Sequence, residues 1–126
     1  MSRPLRAAVV AAVLLAGCAG ADSEPEGGDL VARGDELYHG KGTCQTCHGA
    51  DLQGTTMGPP FLDAIYAPDH HPDAAFFAAV ENGVRPHHWD FGPMPRIEGL
   101  DDDDVSAIVA YVRDQQRRAG VVNRSS

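Results

Sequence analysis

Aromatic residues and cysteines are both scarce in this chain, and each shortage limits the possible architectures. Its 126 residues include four Phe, three Tyr, one Trp and only three Cys. So few aromatic side chains predict a single small domain with a thin core of its own. No cysteine follows position 47, so no second cysteine pair is available to complete a four-cysteine zinc site.

Positive charge is also scarce. Ten Lys and Arg residues face eighteen Asp and Glu residues, which gives a formal net charge of −8 at pH 7. Residues 1–17 hold two arginines and no acidic residue, so the chain without them carries −10. This charge disfavours nucleic acid and anionic lipid as partners and favours a basic docking face on another protein.

One short motif carries most of the chemical information. Cys44 and Cys47 lie three positions apart, and His48 follows directly. This spacing is typical of covalent attachment of a c-type haem, in which both thiols bond to the macrocycle and the histidine ligates the iron. Half of a zinc site would need a second ligand pair, and a thioredoxin-like dithiol would need a βαβ context that the flanking residues lack. The motif therefore predicts one haem c, whose bulk would complete the thin core.

The N-terminus has the features of an export signal. Residues 1–17 contain Arg3 and Arg6, an apolar stretch over 7–16, and small residues before Cys18. The stretch is too short to span a membrane. Its end, Leu-Ala-Gly-Cys, resembles the lipobox of bacterial lipoproteins, and an ordinary signal peptide with a coincidental cysteine is the alternative. The sequence thus predicts a lipidated Cys18 and an extracytoplasmic protein anchored to a bacterial membrane, on the periplasmic side if the cell is Gram-negative.

The remainder of the chain predicts an all-α domain over residues 29–120, with a flexible tether at 18–28 and a disordered tail at 121–126. Caps and apolar spacing indicate three helices, which are expected from Asp29 to His39, from Pro72 to a stop at Asn82 and Gly83, and from the acidic run 101–104 to about Arg118. Gly34 shares a face with Leu37 and Tyr38, which predicts the close approach of another helix.

The run of four aspartates at 101–104 favours a structural role over a metal site. Acidic residues at a helix N-terminus complement the macrodipole and offer caps, while arginines at the other end of the same helix complement its C-terminus. These arginines are Arg113, Arg117 and Arg118. A calcium loop would need spaced ligands and a turn glycine, which this run lacks.

From about Asp29 to Arg118 the chain resembles the class I c-type cytochromes, a family of monohaem proteins. The residues that carry the resemblance appear in family order: Gly34, Leu37 and Tyr38; the Cys-x-x-Cys-His motif with Gly49; Gly58 to Leu62; Glu81 to Gly83; Gly92 to Pro95; and Ala110 to Val112. The resemblance implies three main helices and loops wrapped around one covalently bound haem. It also implies that the first and last helices cross near Gly34 and Tyr111, and that the Pro59 carbonyl accepts a hydrogen bond from His48.

The resemblance implies Met94 as the second axial ligand of the iron. Met94 lies between two prolines, which stiffen its loop because each fixes φ and lacks a backbone donor. Met57 is the rival methionine, but it follows His48 too closely to reach across the ring with ease. Four loop histidines have no assigned role, although His87 or His88 could replace Met94 or bind a second metal; the four are His70, His71, His87 and His88.

The function predicted from these features is one-electron transfer rather than catalysis. A six-coordinate His/Met iron leaves no place for peroxide or dioxygen, and no catalytic triad, phosphate loop or carboxylate pair is recognisable. The expected partners are redox proteins that dock transiently, and the membrane through Cys18. Two alternatives stay open at this point: a haem-bearing subunit of a larger oxidoreductase, and a gas- or peroxide-reactive protein with a labile sixth ligand.

Overall fold

A computed structural model describes residues 27–122 as an all-α domain. Its helices are α1 (Gly27–His39), α2 (Gln45–His48), α3 (Asp73–Asn82) and α4 (Asp102–Arg118), with a 3-10 turn at Ala64–Tyr66. Within residues 27–122 the only strand-like pairing is an isolated antiparallel bridge between Val84 and Met94. The predicted fold class is therefore confirmed. None of the helices in this range is long and apolar enough to cross a membrane.

Several predictions concern residues outside the described range. The signal peptide at 1–17, Cys18, the tether up to residue 26 and tail residues 123–126 all lie outside the described residues. The tether was expected to extend to Gly28, but α1 already begins at Gly27, so Asp29 lies in its first turn instead of capping it. Gly27 and Gly28 are thus helical although glycine has a low helix propensity.

α4 ends at Arg118 as predicted, but its cap extends one residue into the predicted disordered tail. Gly120 has φ +74°, and its N–H donates to the Arg117 carbonyl at 3.2 Å. The N–H of Val121 donates to the Gln116 carbonyl at 2.9 Å. Together these two bonds make a Schellman motif, which satisfies carbonyls of the last helical turn. Val121 is thus part of the helix cap and not of a disordered tail.

α1 and α4 cross at the predicted place. A Cβ atom built on Gly34 would overlap the backbone carbonyl of Ala107 and lie 2.8 Å from the Cβ of Tyr111. The side chains around this crossing form the core, where Tyr38 and Val112 are both fully buried. Because the backbones touch at Gly34, the missing side chain is what permits these two helices to pack so closely.

The acidic run caps α4 as predicted and also ties α4 to α1. The Asp101 carboxylate accepts a hydrogen bond from the Asp104 N–H at 2.8 Å. Asp104 itself is buried, and its two carboxylate oxygens accept hydrogen bonds of 2.6 Å from Lys41 and Arg33. Bonding to Lys41, and then to Arg33, holds the pKa of Asp104 below its usual range. These two ion pairs were not foreseen from the sequence.

A buried arginine of α4, Arg113, ties this helix to the N-terminal end of α3. Arg113 was expected to complement the C-terminal end of α4, but only 6% of it is exposed and it points to other segments. It donates to Asp73 at 2.8 Å and to the carbonyls of Tyr66 and His71 at 2.6 Å each. Arg113 therefore turns inward and not toward the C-terminal end of α4, because several direct hydrogen bonds in a buried site are stronger than the attraction of a helix dipole that water screens.

The start of α3 differs from the prediction by one residue. Pro72 was expected to be the first helical residue, but it is the N-cap, with an extended ψ of 163°.

Gly34→Ala should lower the free energy of unfolding by about 1–3 kcal/mol, as expected for overpacking. The methyl group would push α1 away from Ala107, and this exceeds the roughly 1 kcal/mol that alanine gains in helix propensity. Urea unfolding of the purified protein measures the change. Gly28→Ala is the matched control, because a Cβ there meets nothing within 4 Å. Equal effects of the two substitutions would contradict the close approach at Gly34.

Candidate functional site

An apolar cavity of about 790 Å³ brings the predicted ligands together. Its walls come from α2, α3, α4 and the loops around them, and most of the lining side chains are apolar. Such a volume lies in the range typical of small-molecule and cofactor sites. Cys44, Cys47, His48 and Met94 all line this one cavity.

His48 is held in one orientation at the wall of the cavity. Its Nδ1 lies 2.9 Å from the Pro59 carbonyl oxygen, the contact that the family resemblance implies. The ring of Phe61 stacks on the imidazole, with centroids 4.0 Å apart and planes 20° apart. With the proton on Nδ1, the ring donates to Pro59 and leaves Nε2 as the nitrogen that can bind a metal. Burial lowers the pKa of His48, which favours the neutral form that ligates metals.

The loop that carries Pro59 packs directly on the backbone of α2. A Cβ on Gly58 would lie 2.9 Å from the Cys47 carbonyl oxygen. The same carbonyl accepts a hydrogen bond of 2.7 Å from the Thr55 hydroxyl, and the His48 carbonyl accepts one of 2.8 Å from the Gly54 N–H. The loop can therefore bring Pro59 to His48 only because position 58 has no side chain.

The two cysteines of the motif are half-buried and not joined in a disulfide. Burial raises the pKa of the Cys44 thiol to about 11, and the neighbouring Cys47 contributes in the same direction. Reactive dithiols have lowered pKa values that favour the thiolate. The environment of Cys44 thus disfavours the thioredoxin-like alternative and suits a thiol that faces an apolar group.

Met94 enters the cavity from a loop that is pinned to the end of α3. Its N–H and carbonyl each form a 3.0 Å hydrogen bond with the backbone of Val84. The flanking residues Pro93 and Pro95 have no N–H, so Met94 supplies the only donor of this tripeptide. Gly83 has φ +73°, and a Cβ there would lie 2.5 Å from the Met94 carbonyl oxygen. Glycine at 83 therefore allows the two segments to pair.

The rival methionine lies elsewhere. Met57 is 55% exposed and does not line the cavity, whereas Met94 shares the cavity with His48. The loop histidines gather at the rim, where His71, His87 and His88 are among the lining residues and His70 adjoins His88. Tyr66 and Trp89 also line the cavity, and their rings stack with centroids 6.1 Å apart.

Sequence reasoning missed two contacts that position the ligands. Nothing in the sequence marked Phe61 as the ring that stacks on His48, although it follows Pro59 by only two residues. The pairing of Val84 with Met94 was missed as well. Its signal was present in the glycine at 83 and in the two prolines that leave Met94 as the sole backbone donor of its tripeptide.

The donor set fits a covalently attached haem. Two thiols, an imidazole whose Nε2 can act as ligand, and a thioether border one apolar cavity, and these groups are suited to holding a covalently attached haem. Residues 31–116 match the sequence model of the family described as cytochrome c, which is more than half of the chain. The chain belongs to the cytochrome c family, and it is a haem-binding electron-transfer protein. Among curated proteins and among solved structures, no significant match was found.

We expect Cys44 and Cys47 to hold the haem covalently, so that acid-acetone extraction leaves the haem on the polypeptide. Cys44→Ala and Cys47→Ala should each sharply reduce the yield of haem-loaded protein, because the apo chain lacks the part of its core that the haem supplies. Cys18→Ala is the control, since it removes a cysteine outside the motif and should leave the haem content per chain unchanged. Extraction of the haem from the unmodified protein would refute the attachment.

Proposed function

We propose that this protein is a membrane-anchored monohaem c-type cytochrome that carries single electrons in an extracytoplasmic electron-transfer chain. In this proposal Cys44 and Cys47 attach the haem, and His48 and Met94 are the axial ligands. The observation that carries it is that His48 and Met94 come from separate elements to line the same apolar cavity as both cysteines. When bound, the haem supplies an iron that alternates between Fe(II) and Fe(III).

His48 is suited to the role of a permanent ligand. The Pro59 carbonyl holds the proton on Nδ1 and so directs Nε2 to the metal, and this hydrogen bond also makes the imidazole a stronger donor. Phe61 restrains the ring from one face. Burial also lowers the pKa of His48, which favours the neutral ring that binds metals.

Met94 is suited to the role of a weakly basic ligand that fills the sixth position of the iron. A thioether is a weak donor, so its position must be fixed by the protein and not by the metal bond alone. The paired hydrogen bonds to Val84 and the two flanking prolines provide this restraint. A filled sixth position excludes peroxide and dioxygen, and His/Met ligation raises the reduction potential. Both effects favour electron transfer over the reactive alternative.

Anchoring and partner choice rest on the sequence. The Leu-Ala-Gly-Cys segment ending at Cys18 supports lipidation, and a tether would keep the domain near membrane redox proteins and raise their effective concentration. The formal charge of −10 without residues 1–17 supports a basic partner surface. Association through such charges is fast, transient and weakened by salt.

Met94→Ala should open the sixth position of the iron. The reduced variant should bind carbon monoxide at neutral pH, and its reduction potential should fall, within the roughly 0.8 V range that axial ligands control. Visible spectra and a redox titration measure both effects. Met57→Ala is the matched control, because this exposed methionine does not line the cavity. An unchanged spectrum and potential in Met94→Ala would remove the ligand assignment, and rapid binding of carbon monoxide by the unmodified protein would favour a reactive haem.

Cys18→Ala should release the haem protein from membranes into the soluble extracytoplasmic fraction, because the acyl chains could no longer be attached. Cell fractionation with detection of the haem measures the change, and mass spectrometry of the N-terminus identifies the lipid. Ser23→Ala should stay membrane-bound, since it alters the same segment but keeps the cysteine. If the unmodified mature protein is fully soluble and carries an unmodified Cys18, the anchor does not exist.

A further inference from the structure

Histidines from two separate loops meet at the rim of the cavity. The Nε2 atoms of His70 and His88 are 3.3 Å apart. One nitrogen from each of His70, His71 and His88 lies within 4.8 Å of the other two. His70 and His88 are 18 positions apart in the sequence, so the tertiary fold brings their rings together.

The spacing of these nitrogens is close to that of a metal site. Zinc binds imidazole nitrogens at about 2.0–2.1 Å in tetrahedral geometry, which places two ligand nitrogens roughly 3.3–3.4 Å from each other. His70 and His88 already have this separation. The ligand nitrogen of His71 lies within 4.8 Å of those of His70 and His88. The side chain of His70 is exposed, so it can move to close this distance.

His71 is the fixed member of the group. Its Nδ1 lies 2.6 Å from the Ile65 carbonyl oxygen, so a proton there is donated to Ile65 and Nε2 is left as ligand. The backbone of His71 is also held, because its carbonyl accepts a 2.6 Å hydrogen bond from Arg113 and its N–H donates to Ala67 at 2.8 Å. Metal-ligating histidines commonly have one ring nitrogen bonded to a carbonyl in this way, which fixes tautomer and orientation.

The charge state of these histidines and the net charge of the chain also suit a cation. Three protonated imidazoles this close would repel one another, and desolvation together with His87, His70 and His71 lowers the pKa of His88. Neutral imidazoles are the form that binds metals. The chain as a whole is acidic, with a formal net charge of −8, which favours a divalent cation over an anion.

We propose that His70, His71 and His88 bind one divalent transition-metal ion of the zinc or copper type. Imidazole donors select such ions over magnesium and calcium, which prefer oxygen ligands. Three protein ligands leave a fourth position for water or another molecule. This site is separate from the axial pair His48 and Met94, with which it shares no residue. A hydrogen-bonded histidine pair without metal, and a histidine bound to the haem iron, are the competing outcomes.

Zinc is the probe, because it has no redox chemistry of its own that would disturb the haem. Full-length haem-loaded protein is freed of metal with EDTA and titrated with Zn²⁺ by calorimetry, and elemental analysis gives the stoichiometry. We expect one zinc per chain. His70→Gln and His88→Gln should each weaken zinc binding by at least about 10–100-fold, which is the loss of affinity when a hydrogen-bond partner of a metal ligand is removed. His39→Gln should bind as the unmodified protein does, since His39 lies in α1 and contacts the Ala50 carbonyl instead.

The haem spectrum and thermal unfolding of each variant separate loss of the site from loss of the fold. A variant that keeps both but no longer binds zinc supports the site. The proposal fails if the unmodified protein takes up no stoichiometric zinc, or if both variants bind zinc as tightly as the unmodified protein. It also fails if His88→Gln changes the iron spectrum while zinc does not bind, because His88 would then serve the iron. These readouts do not depend on whether Met94 is the sixth ligand, so the two assignments can fail independently.

Discussion

The backbone contact between α1 and α4 at Gly34 is the constraint on which the site depends. It brings Tyr38 of α1 into the core, where the side chain is fully buried. The Tyr38 hydroxyl donates to the Gly49 carbonyl at 2.7 Å, one residue beyond His48. The same crossing is fastened at its edge by Asp104 with Arg33 and Lys41. Tyr38 thus links the close helix crossing to the turn that follows His48.

Both proposed iron ligands are positioned by uncharged backbone groups. The Pro59 carbonyl holds His48, and the backbone of Val84 holds Met94. Charged side chains would be costly to bury beside an apolar cavity. Their charge would also favour one redox state of a bound haem over the other. Neutral hydrogen bonds fix geometry without that penalty. The ion pairs that tie the described helices together instead have one exposed partner, as with Asp73 and Arg113 and with Asp104 and its two partners.

The features predicted well from the sequence are those with local signals. Gly83 and Gly120 ended their helices as expected, Asp101 capped α4, and the small residue at Gly34 marked a crossing. The predicted starts of helices were less accurate, because the first turn tolerates many residues. α1 begins at Gly27 instead of Asp29, and α3 begins at Asp73 instead of Pro72.

The features that escaped prediction depend on partners far along the chain. Asp104 finds Lys41 across 63 positions, and Arg113 finds the Tyr66 carbonyl across 47. In the sequence each of these side chains is one more charge on an amphipathic helix, and only the tertiary fold decides which of them turns inward. The His70–His88 contact escaped for the same reason.

The rim histidines and the proposed axial ligands border one cavity. Charges at the two proposed metal sites would therefore interact electrostatically. A divalent cation held by His71 and His88 would add positive charge beside the cavity that His48 and Met94 line. Positive charge favours the reduced state of a nearby redox centre, because reduction adds a negative charge. Coupling between two sites is reciprocal, so the reduced protein would in turn hold the cation more tightly than the oxidised protein. The low polarity of the cavity wall would strengthen this coupling, since charges interact more strongly across apolar groups than across water.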